Sequence, residues 1–215
     1  RHTRSGRVTG VQTCALPIAH LDAYLDKQGL KLMFAVPWPA QGFYTKKPVD
    51  KAADFKGLKF RAYSPITARM GEGLGALPTT IEYSEIPQAF ATGLVSSMYT
   101  SAQTGIDSQA WDFAKYFTNV VGNFSLDGTL ISKKAYDALA PDVQKALDAA
   151  AAKAQVRGWK MSHDFNIKQI QTLADKGMTV VEPSAGFMAE LQKIGDGLAA
   201  DWIKSAGPMG EEIIK

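Results

Sequence analysis

The sequence reads as an α/β protein, and three observations carry that expectation. Leu58, Phe60 and Ala62 alternate with Lys59, Arg61 and Tyr63, the period of two that gives a strand one apolar face. Ser64 and Pro65 follow at once, and serine as N-cap with proline at the first helical position starts a helix. The segments beyond keep exchanging a period of two for one of 3.6 across glycine and polar turns, a rhythm of alternating strands and helices.

Length and composition fit one or two globular units, since 215 residues at 46% hydrophobic and 21% charged can bury a substantial core. The apolar stretches are broken by Pro, Gly or charge before the ~20 residues that a bilayer demands. Residues 1–18, RHTRSGRVTGVQTCALPI, carry neither a helix nor a strand pattern that continues into the rest of the chain. Val8 to Ile18 and Arg1 to Arg4 translate codon by codon from sequencing-adapter strings, so the segment resembles a non-native scar and is set aside from fold reasoning.

Setting it aside changes the bulk reading. It holds Arg1, Arg4 and Arg7 and no acid, so the rest has 24 − 3 = 21 basic residues against 21 acidic ones, a net charge of zero. That balance gives no footprint for nucleic acid. Cys14 leaves with the segment, and with it any disulfide or cysteine metal site.

In order, His20 to Gly29 has Leu21, Tyr24 and Leu25 at helical spacing and reads as the end of a helix. Leu30 to Val36 follows as a buried strand before Pro37. Trp38, Phe43 and Tyr44 cluster beside Gln41 and Gly42, either walling a ligand cleft or packing between domains. Lys46 to Ala53 is a polar loop, and Thr67 to Leu74 a short helix closed by Gly75. Leu77 to Tyr83 reads as a strand, Ser84 to Thr92 as a helix ended by Gly93, and Leu94 to Tyr99 as another strand. Ile106, Ala110, Phe113, Ala114 and Phe117 fall at helical spacing and predict a helix over 106–117. Val120 to Ile131 reads as a longer strand, Pro141 to Lys176 as helix-rich, MTVVEP as a strand, and Phe187 to Ser205 as a final amphipathic helix.

Two places invite a ligand. Arg61 lies near the carboxyl end of a strand feeding a helix, where open α/β sheets bind their ligands; the other reading is a surface arginine on an edge strand. The polar run Thr100, Ser101, Ala102, Gln103, Thr104, Gly105 joins a strand to a helix N-terminus, where unpaired N–H groups favour an anion. Plain N-capping by Ser101 or Thr104 is the alternative. Trp159 and Trp202 read as packing.

Enzymatic chemistry finds little support. Outside residues 1–18 only His20 and His163 remain, and no serine has a GxSxG setting. Gly195, Gly197 and Ala200 match GxGxxA, yet inside an expected helix with no strand before them, so the dinucleotide reading fails on context. Two histidines without cysteine leave little for zinc, and the acids show no EF-hand order. No metal or cofactor is expected.

Four stretches carry a resemblance: DxKGLKxR from Asp54 to Arg61, LGALP from Leu74 to Pro78, YSEIPQAFATG from Tyr83 to Gly93, and SKKAYDALAPDVQKAL from Ser132 to Leu147. In order and spacing, from about Ala19 to Lys215, the chain resembles the periplasmic solute-binding proteins of TRAP transporters, the DctP-like family. The resemblance implies a two-lobe periplasmic-binding-protein-like fold with the first lobe incomplete. It implies 19–42 as the end of the first lobe and crossover, 43–126 as the second lobe, 127–166 as the return, and 167–215 packing mainly on the second lobe. More of the first lobe and an export signal would precede Ala19.

It also implies roles. Arg61 would pair with the carboxylate of an organic acid, Tyr83 would stack on it, and Thr100 would stand for an asparagine of relatives, with Ser101 and Gln103 beside it. Where many relatives place a second arginine, Tyr44 or Gln41 would donate a neutral hydrogen bond, with Trp38 near the crossover. Asp127 falls where some acid-binding relatives have a neutral polar residue. The implied function is capture of a small organic acid in the periplasm and delivery to TRAP membrane permease subunits. The alternative is an α/β enzyme on an organic acid, with Glu85 or Asp127 as base near Arg61.

Overall fold

The structure is a computed structural model and describes residues 15–121, 125–208 and 210–211. In chain order its elements are α1 (Ala15–Asp26), β1 (Leu30–Pro37), β2 (Gln41–Thr45), β3 (Lys59–Ala62), α2 (Pro65–Gly73), β4 (Leu77–Thr80), α3 (Ile86–Ala91), β5 (Ser97–Ser101), α4 (Ala102–Asp107), β6 (Tyr116–Thr118), β7 (Leu126–Ser132), α5 (Lys133–Asp137), α6 (Pro141–Asp175), β8 (Thr179–Val181) and α7 (Ala185–Ala206). Short 3-10 turns at Ala52–Phe55, Tyr83–Glu85 and Ala110–Asp112 link them.

The chain divides into two compact units, one from Arg1–Val36, Leu126–Gly158 and Ile203–Lys215, the other from Pro37–Ser125 and Trp159–Trp202. In the first, β1 pairs with β7, and Leu25, Leu32 and Ala35 form a small core with Leu21 and Leu30 against it. Gly158 on α6 lets the strand come close, since a Cβ there would lie 2.4 Å from Val36 Cγ1. Helix α1 starts at Ala15, inside the segment set aside from the sequence. Pro17 does not prevent this, because in the first helical turn its missing N–H has no partner to lose.

The second unit is a six-stranded sheet in the order β4-β3-β5-β2-β6-β8. β3 runs parallel to β4 and β5, and β6 parallel to β8, while β2 is antiparallel to both β5 and β6. Alternation along the strands feeds two cores. On one face Tyr44, Met98 and Phe117 pack with Ile86, Ala89 and Phe90 of α3 and Leu173 of α6. On the other, Phe43, Phe60 and Tyr99 pack with Leu74 from the end of α2 and Phe187 of α7, Phe43 lying 4.7 Å from Phe55 and 4.9 Å from Tyr99 between ring centroids. Each fully buried phenylalanine contributes about 1.5 to 3 kcal/mol relative to exposure.

The helix expected over 106–117 does not form. Gln109 takes a left-handed backbone at φ 53, which ends the helical run after Asp107, and Tyr116, Phe117 and Thr118 pair with β2 as a strand instead. Phe117 thus reaches the core from the sheet, so its helical spacing is coincidental. The single strand expected over Val120–Ile131 is also not formed as such: Val121 has φ 46, residues 122–124 lie outside the described ones, and pairing resumes at Leu126. The strand expected to end at Tyr99 runs to Ser101, which draws Thr100 and Ser101 into the sheet.

Candidate functional site

The sheet directions define an edge. β3, β4 and β5 are parallel, and Gln41 at the start of antiparallel β2 sits opposite Ser101 at the end of β5. The carboxyl ends of β3, β4 and β5 and the amino end of β2 therefore lie together. Helices α2 and α3 leave this edge toward opposite faces, the arrangement in which α/β sheets form ligand crevices.

Arg61 stands on β3, flanked by Thr79 of β4 and Met98 of β5, and only 4% of it is exposed. Its Nε donates to the Ile81 carbonyl at 3.0 Å, and its guanidinium carbon lies 5.3 Å from the Tyr63 ring centroid. The two terminal nitrogens have no protein hydrogen bond among the described residues, and no carboxylate there forms an ion pair with it. Burial pulls its pKa below the usual arginine value, with Tyr63 and Glu82 favouring the charged form. A guanidinium stays charged under such conditions, so β3 carries a buried cation. Immediately after it, Ser64 caps α2: its Oγ accepts from Thr67 N at 3.3 Å, and Thr67 Oγ1 accepts from Ser64 N at 3.0 Å. That reciprocal cap holds the Arg61 strand to the helix.

Several expected residues meet around Ser101. Trp38 Nε1 donates to Ser101 Oγ at 2.8 Å, Thr104 N donates to the same oxygen at 3.1 Å, and the hydroxyl itself donates to Thr104 Oγ1 at 3.2 Å. Ser101 is fully buried and its bonding capacity is spent on protein, so the N-capping reading describes it. Tyr44 is equally buried and donates its hydroxyl to the Ser101 carbonyl at 3.0 Å. Burial raises its pKa well above the tyrosine value, which leaves a neutral phenol whose one proton is already given to the backbone. The neutral donor expected from Tyr44 toward a ligand is thus directed into the core.

Gln41, 2% exposed, is similarly engaged: its Oε1 accepts from Tyr63 Oη at 2.8 Å and its Nε2 donates to Ser125 Oγ at 3.0 Å. Thr100, opposite Gly42, keeps its hydroxyl without a partner among the described residues. Gln103 donates to Asp107 Oδ1 and accepts from Gln169 Nε2, both at 2.6 Å. Tyr83, half exposed, follows β4 at the same edge, with burial and then Asp107 raising its pKa. Asp127 belongs to the other unit; it lies on the surface, and partial desolvation raises its carboxyl pKa. Glu85 is exposed, without a side-chain cap bond at the start of α3. No group of three or more His, Cys, Asp or Glu poised for a metal occurs among the described residues.

Tyr63 and Ser125 are site residues that sequence reasoning misses. Tyr63 is visible as the last member of the alternating KFRAY stretch, but its bond to Gln41 spans 22 positions and has no local signal.

Comparison with known proteins bears on what this edge is. The model of bacterial extracellular solute-binding protein family 7, DctP, matches residues 15–205. The chain belongs to this family. Among solved structures, DctP7 of Bordetella pertussis, an extracytoplasmic solute receptor binding pyroglutamic acid, is 40% identical, with a TM-score of 0.92 over 95% of this chain and 68% of that one. A TRAP solute-binding protein from a marine metagenome, specific for pyroglutamate, is 32% identical with a TM-score of 0.90, covering 95% of this chain and 67% of that one. A solute-binding protein of Verminephrobacter eiseniae is 29% identical over 177 residues, 79% of this chain and 52% of its own length. The chain spans about half the length of such curated relatives. For a family 7 member the α/β architecture is that of the solved receptors, and no helix among the described residues is long and apolar enough to cross a membrane.

Proposed function

We propose that this family 7 chain is the solute-capturing part of a TRAP-type extracytoplasmic receptor, and that it takes a small carboxylic acid of the pyroglutamate kind. The observation that carries the reading is Arg61: a buried guanidinium with no carboxylate partner among the described residues. Such a charge is costly unless an anion completes it, and a planar guanidinium pairs two oxygens at once. Thr100 and Tyr83 are the further contacts on the same edge, offering a free hydroxyl and an exposed ring, and Gln103, held by Asp107 and Gln169, lies beside them. Trp38, Gln41, Tyr44 and Ser101 shape the edge through their bonds to one another. Relatives 40% and 32% identical bind pyroglutamate, which supports that acid over larger sugar acids.

The periplasm is the compartment this role requires, and membrane permease subunits of a TRAP transporter are the partners that receive the ligand. The enzyme alternative finds no support in the two bases expected for it: Glu85 is exposed, and Asp127 belongs to a different unit from Arg61.

Isothermal calorimetry with pyroglutamate, succinate and galacturonate tests the reading, followed by mass spectrometry of the recovered acid. Pyroglutamate should bind most tightly and be returned unchanged. Turnover of the acid, or no heat with any carboxylate, would defeat it.

A further inference from the structure

Two of the four chain passages that leave the Arg61 unit lie close to one another, at Pro37 and Trp38 and at Ser125. They are tied together, Trp38 N donating to the Ser125 carbonyl at 2.7 Å. Gln41 then binds Ser125 through its Nε2 and receives Tyr63 Oη on its Oε1, while the Tyr63 ring lies 5.3 Å from the Arg61 guanidinium carbon. Gln41 is 2% exposed, so both ends of its amide are held away from competing water. A continuous path of packed and hydrogen-bonded groups therefore runs from the buried cation to the two passages: Arg61, Tyr63, Gln41, Ser125, Trp38.

We propose that Tyr63 and Gln41 are positioning residues that couple Arg61 energetically to the paired passages at Trp38 and Ser125. This rests on the solute-receptor reading of Arg61. An anion that pairs with the guanidinium narrows the motion that its Nε anchor leaves, and the cation–π contact favours one placement of the Tyr63 ring over it. The Tyr63 hydroxyl is bound to Gln41, so the same placement selects the amide orientation that holds Ser125. A ligand shifts an equilibrium only by interacting differently with its two states, and this chain of contacts supplies such a difference at the passages without the ligand touching them. Gln41 is thereby assigned a role other than donating to the solute.

The amide of Trp38 reports the coupling, because its hydrogen is the one bonded to Ser125. The Leu77 amide, which donates to the Leu58 carbonyl at 2.8 Å in the same unit, serves as control for opening away from this path. Hydrogen exchange is measured in the whole chain for Arg61→Ala, Gln41→Leu and the double variant. Each single change should speed Trp38 exchange about fivefold relative to Leu77, and the double should match the faster single within about twofold, the signature of coupled sites. Multiplicative effects, or Trp38 and Leu77 speeding together, would overturn the coupling. Tyr63→Phe, which removes one oxygen, is the milder variant should Arg61→Ala fail to fold, and must speed Trp38 in the same way.

A second arm adds saturating pyroglutamate. Slowed exchange at Trp38 in the parent, lost in Tyr63→Phe, supports the coupling and the receptor reading together. Slowing that survives in Tyr63→Phe overturns the coupling. No slowing in the parent beside a non-additive cycle counts against the receptor reading alone, with the coupling upheld by the cycle.

Discussion

Arg61 gives its Nε to the carbonyl of Ile81 at 3.0 Å, a bond that anchors the guanidinium to the segment following β4 and turns its two terminal nitrogens away from that anchor. The anchor fixes the plane in which an incoming carboxylate must lie. Arg61→Ala should weaken pyroglutamate binding by about 2 to 5 kcal/mol, as loss of one side of a buried charge pair does. That is roughly 30-fold to several thousand-fold by calorimetry, at ~1.4 kcal/mol per tenfold. Arg61→Lys should recover only part of it, because an ammonium cannot span two oxygens. Binding by Arg61→Ala within about threefold of the parent would remove Arg61 from the site.

Ser64→Ala should cost about 1 kcal/mol of stability by removing the side-chain half of the α2 cap. Urea denaturation reads it as a lower midpoint with unchanged slope. An unchanged midpoint would mean that Pro65 alone starts the helix.

Gly197 lies inside α7, and a Cβ there would meet nothing within 4 Å. Gly197→Ala should therefore stabilise the chain by about 0.5 to 1 kcal/mol, through the lower backbone entropy of the unfolded state. A fall in Tm would show that the space around Gly197 is not open in solution.

Asp127 has a folded-state pKa raised by partial desolvation. A raised pKa means that the folded chain binds the proton more tightly than the unfolded one. This contribution is present below the unfolded value of about 3.9 and is lost as pH rises through the folded value. Asp127→Asn should then raise the Tm at pH 7 and lose that advantage as pH falls toward about 3. An advantage independent of pH would trace to something other than the charge.

The part of the fold legible in the sequence is local. The Arg61 strand, the Ser64 cap and Pro65 are contiguous, and their signals are independent of the rest of the chain. Phe117 misleads because helical spacing from Ile106 onward is a statement about side chains, whereas Gln109 breaks the run through its backbone. The strand pairing of Phe117 with Tyr44 spans most of the second unit, and nothing near either residue announces it. At the site, the residue types along the sheet edge are legible, but whether a polar group faces a ligand or a neighbour is not. Ser101, Tyr44 and Gln41 each have the chemistry of a contact, and each spends it on partners set by the sheet register.

The sheet's last strand, β8, comes from Thr179–Val181 and pairs with β6, and each unit is assembled from stretches separated in sequence. During synthesis the sheet lacks β8 until residue 181 has emerged, and until then β6 presents an unsatisfied edge. Parallel pairing between such distant segments is slow because loop closure precedes any reward. Nascent chains stalled before residue 179 should accordingly expose the β6 edge to protease, and chains extended past residue 181 should protect it.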